Sequence, residues 1–206
     1  MKIELDSAGK RYRSEWVFRK VTTTFESPQR YAITGPNGAG KSTFMRLLSG
    51  YLTPSKGRVR FSDMGRTLDP AFVYKSVAFA APYMELIEEF TLREALDFQQ
   101  RFKPFAKNLS PVNVIERLGF QKSASKQIRF FSSGMKQRLR LALAICAKSD
   151  ALLLDEPGSN LDAQGMEWYH ALIDEFGSNR LIIVASNIPA DYSFCQEILE
   201  IARFKL

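Results

Sequence analysis

The sequence predicts an α/β fold with a mostly parallel central sheet. Strand-like and helix-like segments alternate through most of the 206 residues, as they do in sheets whose strands are joined by helices. Residues 151–154 and 181–185 are apolar without interruption, which is typical of strands buried on both faces of a parallel sheet. Between residues 83 and 130 no strand is evident, so we expect a helical insertion in the alternating chain.

The first part of the chain predicts a series of strands and one helix. Strands are indicated by apolar alternation or by β-branched and aromatic composition in residues 1–6, 15–25, 31–34, 58–61 and 76–80. The segment 15–25 is long enough for one strand or two. Helical spacing runs from residue 41 to residue 48, and Gly50 is suited to end this helix.

Two helices are predicted within the insertion, at residues 91–102 and 110–118. Thr91 and Glu94 have the spacing of a capping box, in which the side chain of each residue accepts a hydrogen bond from the backbone N–H of the other. Ser110 followed by Pro111 gives a cap and a proline at the first helical position. Both helix starts are therefore encoded locally.

The last part of the chain returns to alternation. We predict helices at residues 133–147 and 162–176, and Gly177 is placed to end the second. The apolar strands at 151–154 and 181–185 follow each of these regions in turn, and residues 196–202 are expected to form a final strand.

Composition places the chain among globular proteins and excludes several other classes. Hydrophobic residues make up 45% and charged residues 25%, close to the average for soluble domains. The longest uncharged apolar stretch, residues 141–147, is far shorter than the ~18–20 residues that span a bilayer. Two isolated cysteines are typical of a reducing compartment. A net charge of +7 permits nucleic acid, anionic lipid or phosphate ligands without selecting among them.

A glycine-rich turn after the strand at 31–34 predicts a phosphate site. Its residues match the pattern G-x-x-x-x-G-K-[ST]: Gly35, Pro36, Asn37, Gly38, Ala39, Gly40, Lys41 and Ser42. Glycines let backbone N–H groups wrap phosphate oxygens, and the start of the following helix adds its positive dipole end. We expect Lys41 to contact the β- and γ-phosphates, Ser42 to hold Mg²⁺, and Thr43 to complete the nucleotide contacts.

Two acids follow the apolar strand at 151–154. Ligands of open α/β sheets bind at the carboxyl ends of the strands, where Asp155 and Glu156 lie. We expect Asp155 to hold Mg²⁺. The chain turns at the strand end, so Glu156 is expected to face the nucleotide and to polarise the attacking water.

A third motif makes the combination specific. Residues 131–138 read Phe-Ser-Ser-Gly-Met-Lys-Gln-Arg, and Ser132 precedes Asp155 by 23 residues. This stretch resembles the L-S-G-G-Q signature of the ATP-binding subunits of ABC transporters. Residues 158–162 are similar to the D-loop of that family, and the resemblance covers essentially the whole chain, with all motifs in the family's order.

The resemblance implies a fold and a division of the chain. The fold is a P-loop NTPase (ABC-type) core with a mostly parallel central sheet, an N-terminal antiparallel β subdomain and an inserted helical subdomain. Residues 1–206 form one ATP-binding domain, with the core and β subdomain in 1–82 and 131–206 and the helical subdomain in 83–130.

The resemblance also implies how ATP and Mg²⁺ are used. Tyr12 is placed like the aromatic residue that stacks on adenine, whereas Ser132, Ser133 and Gly134 contact the γ-phosphate held by another subunit. A head-to-tail dimer of two copies, or of this chain with a paralogous ATP-binding subunit, closes on two ATP molecules. Transport is carried out by separate transmembrane permease subunits, so the expected location is cytoplasmic, peripheral on the inner face of the cell membrane.

The chain departs from the family pattern at two positions. The glutamine expected after the strand at 76–80, which normally touches Mg²⁺ and senses the membrane partner, is absent, and Pro82 or a neighbour takes its place. Glu85 is a nearby oxygen donor, or simply an exposed acid. The switch histidine is replaced by Asn187, which can donate a hydrogen bond but cannot carry a proton. We predict intact ATP binding with slow hydrolysis; the alternative is that the rate is unaffected.

Other interpretations stay open at this point. A non-transport ABC ATPase acting on ribosomes or DNA is one, although such proteins commonly carry two cassettes or long coiled coils, and no nucleic acid partner is expected here. A slow-hydrolysing, ATP-sensing regulatory dimer is another. In the family, the coupling helix of the permease docks near Glu85, Glu88 and Glu89; these acids are suited to a basic partner, or are a solvated cluster.

Overall fold

The computed structural model describes residues 1–205, which form two sheets flanked by helices. The antiparallel sheet has the order β2-β1-β4-β5. Its strands are β1 (Lys2–Tyr12), β2 (Glu15–Glu26), β4 (Lys56–Asp63) and β5 (Arg66–Thr67). The antiparallel β subdomain implied by the resemblance is therefore confirmed.

The second sheet is the centre of the molecule and has the order β6-β7-β8-β3-β9. Its strands are β3 (Arg30–Thr34), β6 (Val77–Ala80), β7 (Ala151–Asp155), β8 (Leu181–Ala185) and β9 (Glu197–Glu200). All of its paired strands in residues 1–205 run parallel. Every residue of β7 and β8 is buried, as their unbroken apolar sequences predict.

Six α-helices connect or cover these strands in the described part of the chain. They are α1 (Lys41–Leu48), α2 (Val73–Ser76), α3 (Leu92–Phe102), α4 (Pro111–Leu118), α5 (Ser133–Ile145) and α6 (Ala163–Phe176). The predicted caps form: Thr91 and Glu94 close a capping box, and the Ser110 side chain accepts from the Asn113 N–H. Among residues 1–205, every helix is too short or too polar to cross a bilayer.

The hydrophobic core is divided by the parallel sheet, because successive side chains of a strand point to opposite faces. Leu152 and Leu154 of β7 pack on one side with α3, α4, α5 and α6. Ala151 and Leu153 of the same strand pack on the other side with α1 and the antiparallel sheet. The sheet is thus covered on both faces, and its carboxyl edge is left for the loops that carry the motifs.

Several boundaries differ from the sequence prediction, among them the following three. Strand β1 continues past residue 6 to Tyr12. The prediction ends at residue 6 because the apolar alternation breaks there: an irregularity at Ser7, whose φ is 49°, shifts the pairing of the strand. The last strand, β9, ends at Glu200, and Ile201–Phe204 form a 3₁₀ turn. Helix α5 ends at Ile145.

Candidate nucleotide-binding site

The glycine-rich loop between β3 and α1 is tightly curved. Gly35, Gly38 and Gly40 all have positive φ, and the Ala39 N–H donates to the Pro36 carbonyl at 3.0 Å. A Cβ on Gly40 would lie 2.4 Å from the Val17 side chain, so this turn admits only glycine. A Cβ on Gly38 would meet no atom within 4 Å, so the loop opens towards solvent at that residue.

Lys41 lies within this loop rather than outside it. Lys41 is the first residue of α1 and is 5% exposed. The ammonium Nζ donates to the Gly35 carbonyl at 2.7 Å and to the Pro36 carbonyl at 3.3 Å. Because Gly40 offers no side-chain cap, the first N–H groups of α1, at Ser42 and Thr43, lack a side-chain acceptor at the cap position. The loop therefore presents a buried cation and a helix start to an anion.

Asp155 ends β7 and is 1% exposed. Its Oδ2 accepts a hydrogen bond from the Tyr83 hydroxyl at 3.0 Å, whereas its Oδ1 is buried and has no hydrogen-bond partner in residues 1–205. Burial raises the pKa of Asp155, and the nearby hydroxyl groups of Ser42 and Tyr83 oppose this change. A buried, unpartnered carboxylate oxygen beside a serine hydroxyl fits the oxygen ligands that Mg²⁺ prefers.

Glu156 marks a sharp turn of the chain after β7. Its φ is 46°, and its backbone N–H donates to the carbonyl of Ala185 in β8 at 2.8 Å. A positive φ is uncommon for a residue with a side chain and is concentrated at functional sites. The carboxylate is exposed, in contrast to that of Asp155. The two adjacent acids therefore differ in solvation, which suits one to a metal and the other to contact with water.

Asn187 lies just beyond β8 and reaches the glycine-rich loop. Its Nδ2 donates to Oδ1 of Asn37 at 3.0 Å. The preceding Ser186 is buried and donates its hydroxyl proton to Oδ2 of Asp191 at 2.6 Å. The end of β8 is thus tied to the glycine-rich loop on one side and to a buried carboxylate on the other.

The residues of the signature motif line a different cavity. Ser132 caps α5, with its Oγ accepting from the Met135 N–H at 3.2 Å. Ser132 and Gly134 line a cavity of about 330 Å³, whose lining includes none of residues 35–43. Ser133 is the first residue of α5. The structure therefore brings together Lys41, Asp155 and Asn187, but not the signature residues.

Tyr12 is the last residue of β1, and its side chain is 49% exposed. The Lys10 ammonium lies 5.6 Å from the centre of the Tyr12 ring. A half-exposed aromatic ring is suited to stacking on a planar ligand.

Sequence reasoning missed the residue that contacts Asp155. It considered Pro82 and Glu85 in this segment, but Glu85 lines a groove along β6, and Tyr83 is the residue hydrogen-bonded to the carboxylate. No local signal could have found it, because Tyr83 meets Asp155 only through the pairing of β6 with β7. Arg46 of α1 was also missed; its guanidinium lies 4.3 Å from the centre of the Tyr83 ring.

Comparison with known proteins agrees with these motifs. The profile described as ABC transporter matches residues 18–159. The uncharacterized ABC transporter ATP-binding protein YybJ of Bacillus subtilis is 32% identical over 206 residues, covering 99% of this chain and 94% of that protein. The uncharacterized ABC transporter ATP-binding protein YcbN of the same organism is 29% identical over 184 residues, covering 87% of this chain and 60% of that longer protein.

A solved structure shows the same fold. A dimeric ATP-binding cassette in a post-hydrolysis state, bound to ADP and phosphate, superimposes with a TM-score of 0.83. The match covers 97% of this chain and 95% of the other at 19% sequence identity.

Proposed function

Because the chain belongs to the ABC transporter family, we propose that it binds Mg-ATP at the loop of Lys41 and hydrolyses it to drive a separate membrane permease. One observation carries this proposal. In residues 1–205 the buried Lys41 ammonium is bonded only to two loop carbonyls, without an opposite charge, and the buried Oδ1 of Asp155 has no hydrogen-bond partner. A triphosphate with its cation supplies both.

Each residue of the site has a chemical task in this proposal. Lys41 exchanges its contacts with the loop carbonyls for phosphate oxygens, and Ser42 and Asp155 hold the cation. When bound, Mg²⁺ neutralises phosphate charge that develops during transfer. Glu156 orients the attacking water and accepts its proton, because it is exposed beside the buried Asp155. Tyr12 stacks on the adenine ring.

A second cassette completes the site. The N–H groups and hydroxyls at the start of α5 favour an anion, and Ser132 and Gly134 line a cavity that shares no residue with the loop at 35–43. One chain therefore offers two anion sites in separate places. A head-to-tail dimer, with a second copy or a paralogous subunit, places the signature of one chain against the γ-phosphate of the other. The similar cassette bound to ADP and phosphate is dimeric.

A groove beside the edge strand β6 is the proposed contact with the permease. It has a volume of about 640 Å³ and is lined largely by apolar side chains of β6, α3 and α5. Phe102 at its border is 72% exposed. Of the three acids near the groove, Glu88 is paired with Lys136 at 2.5 Å, and Arg101 and Arg140 line the groove beside Glu85. The surface around the groove therefore carries both positive and negative side chains, and the apolar floor of the groove is suited to an amphipathic helix.

Slow hydrolysis is a second candidate property. Asn187 occupies the position of the switch histidine, and its side-chain amide donates a hydrogen bond to Asn37. It holds the loop but cannot exchange a proton with the γ-phosphate or carry positive charge. An ATP-sensing dimer that barely hydrolyses fits this substitution.

Phosphate release and nucleotide binding by the purified protein test the proposal. Lys41→Ala should lose ATP binding, whereas Glu156→Gln should retain binding and lose turnover. If wild type and Glu156→Gln bind ATP but are equally inert, the hydrolysis proposal is wrong and the ATP-sensing dimer is favoured. Copurification with membranes, rather than with ribosomes or DNA, separates the transport proposal from a non-transport ATPase.

A further inference from the structure

Tyr83 lies at the carboxyl edge of the parallel sheet, beside the end of β7. Strand β6 pairs with β7 in a register that sets Ala80 against Leu154, so the residues after Ala80 pass next to Asp155. The Tyr83 hydroxyl donates a hydrogen bond to Oδ2 of Asp155 at 3.0 Å. This contact joins two segments 72 residues apart in the chain.

The Tyr83 ring is held by neighbours from two elements. The Arg46 guanidinium of α1, the helix that follows the phosphate loop, lies 4.3 Å from the ring centre. Phe79 of β6 makes an edge contact, with ring centres 6.5 Å apart and planes at 65°. A cation over one face and an aromatic edge beside it restrict the ring, and so direct its hydroxyl.

The hydrogen bond divides the two oxygens of Asp155 between two tasks. Oδ2 is taken by Tyr83, whereas Oδ1 is buried without a partner in residues 1–205. We propose that Tyr83 is a positioning residue for the metal site: its hydroxyl fixes the Asp155 carboxylate so that Oδ1 is presented to Mg²⁺. Groups that hydrogen-bond a metal ligand fix its orientation and contribute to metal affinity. This inference rests on the proposed binding of Mg-ATP.

Tyr83 would then stand in for the glutamine that the family resemblance leads one to expect in this segment. Its side chain differs from glutamine because it acts through Asp155 and is braced by Arg46. The adjacent Met84 and Glu85 line the groove along β6, and the Met84 carbonyl accepts from Arg140 Nε at 2.7 Å. A partner bound in that groove would contact the two residues that follow Tyr83.

The test uses Tyr83→Phe, which keeps the ring beneath the Arg46 guanidinium and removes the hydroxyl. A fluorescent ATP analogue is titrated in EDTA and in Mn²⁺, in a Glu156→Gln background that limits turnover. The expected result is unchanged affinity in EDTA and an affinity in Mn²⁺ that falls about 10- to 100-fold. The electron paramagnetic resonance spectrum of the bound Mn²⁺ should change as well.

Tyr51→Phe is the matched control. Tyr51 lines the same small cavity as Arg46 and Tyr83 and is 78% exposed, so removing its hydroxyl should change neither titration. Wild-type Mn²⁺ dependence and spectrum in Tyr83→Phe would overturn the inference. Equal weakening in EDTA and in Mn²⁺, with a lower melting temperature, would also overturn it and assign the hydroxyl a general structural role. Failure of the Glu156→Gln parent to bind nucleotide in either condition would instead refute the proposed function.

Discussion

Ser132→Asp separates the capping role of Ser132 from its proposed role at the dimer interface. Ser132 is the N-cap of α5, where its Oγ accepts from the Met135 N–H at 3.2 Å. Aspartate caps helices about as well as serine and complements the positive end of the helix. The substitution therefore keeps α5 intact and replaces a hydroxyl donor with an anion at the cavity proposed to receive the γ-phosphate.

The expected loss of dimer follows from simple electrostatics. A carboxylate about 4 Å from one phosphate charge, at an effective dielectric constant of about 20, is repelled by about 4 kcal/mol. The lost hydrogen bond to a charged group adds about 1.5–3 kcal/mol. The two terms sum to about 5.5–7 kcal/mol at each site, which is about 10⁴-fold or more in ATP-dependent association from one site alone, and the dimer contains two such sites. The free energy of unfolding of the monomer should change by less than about 1 kcal/mol.

Light scattering coupled to size-exclusion chromatography measures the effect with ATP in the Glu156→Gln background. Ser110→Asp is the control, because Ser110 is also an N-cap whose Oγ accepts from the N–H three residues on, and it does not line the signature cavity. The control should dimerise like its parent. Dimerisation of Ser132→Asp at the parental ATP concentration would refute the head-to-tail arrangement, and most of the proposed mechanism with it.

Three further predictions concern other parts of the molecule. Asn187→His should raise the rate of phosphate release about 10-fold or more, because histidine can exchange a proton near the γ-phosphate whereas the asparagine amide only holds the loop. An unchanged rate would show that Asn187 does not limit hydrolysis. Gly158→Ala should lower the free energy of unfolding, measured by chemical denaturation, by about 1–3 kcal/mol, because a Cβ there would lie 2.1 Å from Oδ1 of the buried Asp191. Wild-type stability would mean that the segments of Gly158 and Asp191 can move apart without loss of free energy. Burial and the charge of Arg180 lower the pKa of Lys103 to about 8 from an ordinary 10.5, so the folded state releases this proton before the unfolded state does. Stability relative to Lys103→Met should therefore rise as the pH increases from about 8 to about 10.5, and a flat difference in melting temperature over that range would contradict the shift.

Much of the fold was accessible from local sequence signals. The bounds of α1 and β8 match the predicted segments 41–48 and 181–185, and Thr91 and Ser110 cap their helices as expected. These features depend on periodicity and on contacts between residues three or four apart, which the sequence displays directly. The irregularity at Ser7 escaped prediction, because a shift in pairing depends on the partner strand as well as on the local sequence.

The sequence by itself predicted the chemical groups of the proposed site: the loop of Lys41, the acids after β7 and the serines at the start of α5. Only the tertiary structure decided which of them meet. The contact of Tyr83 with Asp155 crosses 72 residues, and that of Asn187 with Asn37 crosses 150. Both follow from the strand order β6-β7-β8-β3, which brings the carboxyl ends of distant strands to one edge. Strand order is fixed by long-range packing, so neither neighbour was visible in the sequence around it.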